Sequence, residues 1–141
     1  MGRIVAIDYG TKKVGLAVTD DQQLFAFGLA TVHSTEVIKY LKDYNSKYAI
    51  DGFVIGEPKQ LSNSATHSTQ AVKNFVIHLG REFPGIQTEC IDERYTSKIA
   101  QRSMIESGLS KKKRSDKKLI DEISATLILQ DYLIQKENGF R

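Results

Sequence analysis

Apolar positions along the chain follow two periods, one near 2 and one near 3.6. Ile4-Val5-Ala6-Ile7 is a run of small and branched apolar residues, which reads as a strand buried on both faces. Asp8 ends the run, and Gly10 lets the backbone turn into a second strand from Val14 to Thr19. The connection is short, so the two strands should pair antiparallel. After the polar stretch Asp20-Asp21-Gln22-Gln23, Phe25, Phe27 and Leu29 alternate with small residues and predict a third strand up to Val32. Ser34 or Thr35 is placed to cap a helix whose stripe is Val37, Leu41, Tyr44 and Tyr48. Gly52 to Gly56 predicts a buried fourth strand; coming after a helix, it should run parallel to the first.

Glu57 to Thr66 reads as a loop opened by Pro58. Val72, Phe75, Val76 and Leu79 mark a second helix, stopped by Pro84-Gly85. A fifth strand covers Ile86 to Ile91 and leads into Asp92-Glu93-Arg94. Thr96 caps a third helix that Gly108 ends, a basic loop spans Ser110 to Lys118, and a last helix runs from about Asp116 to Gln135. The order β-β-β-α-β-α-β-α-α describes a mixed five-stranded α/β sheet. An antiparallel three-stranded meander is extended by parallel strands, and right-handed crossovers put helices on both faces, as in ribonuclease H-like domains.

Length and composition narrow the class. With 141 residues, 40% hydrophobic and 26% charged, the chain is expected to form one soluble globular domain spanning 1–141. No apolar run is long enough to span a bilayer, and the first residues lack a signal peptide's apolar block, so a cytoplasmic location without membrane contact is expected. The single cysteine, Cys90, fits a reducing compartment and reads as core packing. No Cys/His spacing suggests zinc.

Three acidic residues interrupt apolar surroundings. Asp8 ends the first strand, Glu93 sits just past the fifth, and Asp121 falls on one stripe with Ala125, Ile128 and Tyr132, the core-facing side of the last helix. An unpaired buried carboxylate is costly, and a bound hard cation removes that cost. Asp8 alone would serve equally well as a turn residue, and Asp121 as a helix-start aspartate favoured by the dipole. Carboxylates converging from separate elements can hold two Mg²⁺ or Mn²⁺ ions about 4 Å apart, which activate a water and stabilise the leaving oxygen of a phosphodiester. Glu57 is a further candidate ligand, because its strand should lie beside the first. Asp92 alternates away from Glu93, and Asp20 could add an acidic group at the rim.

Charge is unevenly distributed. Net charge is +3, but Arg94 to Lys118 carries nine positive and two negative residues, or +7, leaving −4 on the remainder. A basic segment on an acidic domain points to a polyanionic partner. Lys12 and Lys13 follow the Asp8 turn, within reach of phosphates near a metal. Arg94 can orient Glu93 or clamp a phosphate. Lys98 and Arg102 lie one turn apart on one helical face, and the run Lys111, Lys112, Lys113 and Arg114 precedes the helix bearing Asp121. His67, at a helix start, could touch substrate, but surface placement is the simpler reading for it and for His78.

Taken together, the motifs resemble one family over nearly the whole length. They are Ala6-Ile7-Asp8-Tyr9-Gly10-Thr11-Lys12-Lys13-Val14-Gly15-Leu16-Ala17-Val18-Thr19-Asp20, then Gly56-Glu57-Pro58, Asp92-Glu93-Arg94-Tyr95-Thr96-Ser97, Ser110-Lys111-Lys112-Lys113-Arg114 and Ile120-Asp121-Glu122-Ile123-Ser124-Ala125-Thr126-Leu127-Ile128-Leu129-Gln130. The resemblance is to the YqgF, or RuvX-like, family, to which Holliday junction resolution and pre-16S rRNA processing are both ascribed. It implies a ribonuclease H-like fold, Asp8, Glu93 and Asp121 as catalytic metal ligands, Mg²⁺ or Mn²⁺ as cofactor, and structured RNA or branched DNA as partner. The chain departs from the family pattern at Tyr9, where proline is frequent, and at Glu57, where an apolar residue is usual.

The expected activity is therefore metal-dependent endonucleolytic cleavage, with processing of the 5′ end of pre-16S rRNA as the main reading. Junction resolution shares the same chemistry and would call for a two-fold homodimer. A non-catalytic nucleic-acid-binding assembly factor is a third reading. A phosphotransferase of the actin and sugar-kinase group shares Asp8-Tyr9-Gly10-Thr11, but would need a second phosphate loop and a longer chain.

Overall fold

Ile4, Val5, Ala6 and Ile7 are all buried, and the strand they form, β1 (Arg3–Tyr9), lies at the centre of a five-stranded sheet. The computed structural model describes residues 2–10, 12–57, 67–92 and 117–137. The other strands are β2 (Lys13–Thr19), β3 (Ala26–His33), β4 (Ile50–Glu57) and β5 (Gln87–Asp92); the helices are α1 (Val37–Lys47), α2 (His67–Glu82) and α3 (Lys117–Glu137). Sheet order is β3-β2-β1-β4-β5. The β1–β2 and β2–β3 pairs are antiparallel, while β4 is parallel to β1 and β5 to β4. This is the meander with parallel extension expected from the pattern. The helix expected from Thr96 and the basic loop after it, up to 116, lie outside the described residues; Lys117 and Lys118, expected to close that loop, instead open α3. No described helix is long and apolar enough to cross a membrane.

Strand alternation sorts the core into two layers. On one face Val5, Ile7, Leu16, Phe53 and Ile55 pack with Val37 and Leu41 of α1 and with Val72, Phe75 and Leu79 of α2. On the other, Ile4, Ala6, Ala17, Val54 and Ile91 meet Ala125, Ile128, Leu129 and Tyr132 of α3. The small side chains Ala6 and Ala17 let α3 approach the sheet closely.

Three local expectations change, and two phenylalanines prove exposed. Neither Ser34 nor Thr35 caps α1: Glu36 holds the N-cap position without a side-chain bond, and Thr35 bonds His33 instead. Phe25 and Phe27 alternate as a strand should, yet they are 65% and 54% exposed, since the strand that pairs with β3 lies on one side of it and α1 packs farther along. Cys90 is exposed rather than in the core: on β5, alternation buries its neighbour Ile91 and turns Cys90 to the opposite face. Tyr48 lies past the end of α1, exposed, with the Arg3 guanidinium 4.6 Å from its ring centroid.

β3 carries one residue more than β2 can match. Ala17 pairs with Gly28, but Leu16 pairs with Ala30, so Leu29 is a bulge. From there to its end, β3 presents the opposite parity from the one its first half would dictate.

Candidate functional site

The parallel strands β1, β4 and β5 all end at one edge of the sheet, and the acidic residues of the sequence gather on these ends. Asp8 is half-buried near the end of β1, on the face of Ile4 and Ala6 that α3 covers. Ile7 pairs with Ile55, which brings the backbone of Glu57 level with Tyr9, and Glu57 in turn pairs with Asp92. Glu93 is the next residue and lies outside the described set.

The β1–β2 turn sits at the same edge. A Cβ on Gly10 would fall 2.5 Å from the Lys13 carbonyl oxygen, so the turn closes as it does because position 10 is glycine. Lys12 and Lys13 are exposed there. The Ser34 N–H donates to the Lys12 carbonyl at 3.0 Å and ties the turn to the end of β3. Tyr9 stacks on Phe75 of α2 with ring centroids 4.4 Å apart. Tyr9 thus anchors the end of β1 to a helix, beyond any effect on the turn.

The direction of α3 follows from its other end. Lys136 Nζ donates to Gln23 Oε1 at 3.0 Å, and Tyr132 and Lys136 share a cleft of about 180 Å³ with Ile4, Gln23 and Asp51, at the sheet edge far from Asp8. The helix therefore runs antiparallel to β1, with its start toward Asp8. From Tyr132 back to Ser124 is about 12 Å of helix, and from Ile4 to Asp8 about 13 Å of strand. Ser124 is thus roughly level with Asp8, and the backbone of Asp121 lies one turn nearer the helix start.

Two observations fit a hydrated cation at this edge. Asp8 offers a hard oxygen donor at the end of a buried strand. The Ser124 hydroxyl is buried and has no hydrogen-bond partner among the described residues, which suits a position beside bound water or an ion's hydration shell. Among the described residues no three His, Cys, Asp or Glu side chains are gathered; of the expected triad, only the Asp8 side chain belongs to that set. Arg94, Lys98, Arg102, Lys111, Lys112, Lys113 and Arg114 lie outside it.

Asp20 does not belong here. Val5 pairs with Val18, so antiparallel pairing carries the end of β2 to the opposite edge of the sheet. There Asp20 Oδ1 accepts the Leu24 and Phe25 N–H groups at 2.8 and 2.9 Å, and the Phe25 bond, with weaker help from Leu24, holds its carboxyl below the ordinary value against the opposing effect of desolvation. His78 is on the exposed side of α2, 3.6 Å from Glu82, as its spacing implied. His33, at the end of β3, does lie at the Asp8 edge, paired with Lys13. Periodicity could not single it out, because the bulge decides its face.

A family model described as RuvX, Holliday junction resolvase, matches residues 2–135. A protein of Parabacteroides distasonis named "Putative pre-16S rRNA nuclease" is 53% identical over 137 residues, covering 97% of this chain and 98% of that one. A Flavobacterium psychrophilum protein of the same name is 48% identical, covering 96% and 99%. Among solved structures, T. thermophilus RuvC in complex with a Holliday junction substrate superposes with a TM-score of 0.60 at 13% identity, covering 99% of this chain and 98% of that one. Fowlpox virus resolvase with Holliday junction DNA gives 0.55 at 14% identity, covering 95% and 98%. At these identities the structural likeness concerns the fold, which is the ribonuclease H-like fold expected from the strand order.

Proposed function

Because the chain belongs to the RuvX family of Holliday junction resolvases, we propose that it is a divalent-metal-dependent endonuclease of structured nucleic acid, acting on the 5′ end of pre-16S rRNA. The observation that carries this reading is the half-buried Asp8 at the end of the central strand, with the antiparallel α3 bringing its orphaned Ser124 hydroxyl about level with it. The names carried by relatives about half identical over nearly their whole length support RNA as the substrate.

Asp8, Glu93 and Asp121 would hold Mg²⁺ or Mn²⁺, with Glu57 as a further ligand. The bound metal supplies activation of a water and stabilisation of the departing oxygen. The chain's own part is to fix charge. Asp8 holds its carboxylate at the edge of a rigid sheet, where its position does not depend on a loop. Lys12 and Lys13 neutralise substrate phosphates beside it, and Arg94, Lys98, Arg102 and the Lys111–Arg114 run draw the polyanion in.

The test offers purified protein a 5′-extended 16S precursor and a four-way DNA junction, each with Mg²⁺, with Mn²⁺ and with chelator. Metal-dependent cutting of the precursor alone bears the proposal out. Cutting of the junction alone would move the assignment to the activity in the family's description. Tight binding without cutting of either would make the chain a non-catalytic assembly factor.

A further inference from the structure

The β3 bulge re-aims the end of that strand. In the first half of β3, Ala26 and Gly28 share the α3 face with Ala17; continued without interruption, that parity would set Val32 opposite Lys13. The extra residue Leu29 advances the register by one, so Val32 turns into the α1 layer and His33 comes opposite Lys13. Cross-strand partners share a face: Asp8 pairs with Gly15, Gly15 with Thr31, and Lys13 with His33 two residues farther on. Asp8, Lys13 and His33 are therefore all on the α3 face, at the same edge. Two strand spacings across and two residues along separate the backbones of Asp8 and His33 by about 12 Å, so a strand held at Asp8 can also pass His33.

The imidazole is exposed but held. Nδ1 accepts the Thr35 N–H at 3.2 Å and lies 2.9 Å from the Thr35 hydroxyl. An amide N–H can only donate, so Nδ1 is the acceptor and the ring proton sits on Nε2. The imidazole is thus held by its own turn with Nε2–H directed away from that turn. Lys13 beside it favours an anion; Glu36, whose N–H bonds the His33 carbonyl at 2.9 Å, opposes one from the start of α1.

We propose that His33 contacts substrate, its Nε2–H donating to a backbone phosphate oxygen of the bound nucleic acid on the flank of the metal site. The inference rests on the nuclease reading and adds a residue that no motif marks. Thr35 is the positioning residue that holds the ring in this tautomer.

A neutral donor and a cation leave different signatures. Removing a cation from a phosphate lowers the salt dependence of binding, whereas removing a neutral hydrogen bond lowers affinity equally at every salt concentration. Labelled 16S-precursor RNA and a labelled four-way DNA junction are titrated in chelator, from about 50 to about 200 mM salt. His33→Ala should weaken binding about three- to tenfold with the slope unchanged. Lys13→Ala should reduce the slope by about 0.7 to 0.9. His33→Gln, which keeps an N–H at similar reach, should restore most of the affinity, and His33→Phe should bind as poorly as alanine. An alanine variant that binds like wild type overturns the proposal, as does one whose slope falls like that of Lys13→Ala. Full affinity in His33→Phe overturns it too, because the ring would then be stacking on a base. Failure of wild type to bind either probe would overturn the nuclease reading and this inference together, whereas wild-type binding with an indifferent His33→Ala overturns this inference alone. The probe on which the alanine effect is larger identifies the backbone, RNA or DNA, that His33 meets.

Discussion

Asp8 stands directly opposite Gly15 in the β1–β2 ladder, so its cross-strand partner contributes no side chain. Gly15 is itself buried under α3, where a larger residue would ordinarily add to the core. A branched residue at 15 would put its Cβ about 4.5–5.5 Å from that of Asp8, in the space the proposed cation and its water need. Gly15→Val adds bulk under α3 and should lower the melting temperature, and the folded protein should lose metal affinity by about ten- to a hundredfold, the range seen when the surroundings of a metal ligand change. Calorimetric titration with Mn²⁺ checks this; wild-type affinity would mean that the ion, if bound, lies off the Gly15 flank.

Asp8→Asn separates binding from chemistry. Asparagine keeps the shape and one oxygen but loses the charge that fixes a divalent cation. Cleavage should fall to background, while gel-shift affinity for the precursor in chelator stays at or above the wild-type level, since one negative charge near the phosphates is gone. A mutant that cuts at the wild-type rate would assign the activity to another site or a contaminant.

Much of this arrangement was legible in the residues. Ile4 to Ile7 announced a strand buried on both faces, and the stripes of Val37 and Leu41, of Val72, Phe75 and Leu79, and of Ala125, Ile128 and Tyr132 each proved to be a helix's buried side. Asp8 stood out because a carboxylate interrupts an apolar run. What escaped was set by pairing, not by pattern. The Leu29 bulge leaves no mark on the alternation of β3, yet it governs which face His33 takes. Cys90 looked like core because it sits inside an apolar strand pattern, but Ile91 takes the buried face and neighbours on a strand face opposite ways. Asp20 read as an acidic group at the rim of the site, and the hairpin between Asp8 and Asp20 carries it to the far edge.

The basic run is expected to act in binding alone. Replacing Lys111, Lys112, Lys113 and Arg114 together with alanine removes four charges and no apolar residue, so the melting temperature should hold. Affinity should fall, and the salt slope should shrink by up to about 0.9 for each duplex phosphate no longer neutralised, and by less on single strands. If affinity and slope both stay put, the run is a solvated segment without a substrate role.

Asp20 predicts an acid-side signature at the sheet edge far from Asp8. The Phe25 and Leu24 amides bond its carboxylate and lower its pKa from 3.8 in the folded chain. A folded-state pKa below the unfolded one contributes stability that is complete above the unfolded value and is lost as pH falls through the folded one. Asp20→Asn should therefore melt below wild type near neutrality, and the gap should close as pH drops below 3.8. Melting curves of both proteins across that range decide it. A gap that stays constant through the acid range would mean that the carboxylate's charge is irrelevant to the turn.

The last prediction concerns how the central strand is seated. Between Arg3 and Ile4 the register of β1 against β4 slips: Arg3 pairs with Ile50 but Ile4 with Gly52. At that irregularity the Ile4 N–H donates to the Thr19 hydroxyl at 2.9 Å, and Thr19 is fully buried. Thr19→Val keeps shape and volume but removes the acceptor, leaving a buried N–H unsatisfied, which costs about 1–3 kcal/mol. Thr19→Ser keeps the acceptor and loses one methyl, worth about 0.8 kcal/mol. If the hydrogen bond is what matters, valine should be the more damaging change although it is the more hydrophobic one and the better strand former. Urea unfolding of the three proteins, compared at equal m-values, reads the order directly. Wild-type or higher stability in Thr19→Val would show that burial of apolar surface, and not the bond to Ile4, holds this end of β1 in the sheet. The same order should appear in cleavage rates only if seating β1 at Ile4 also sets the position of Asp8 four residues on.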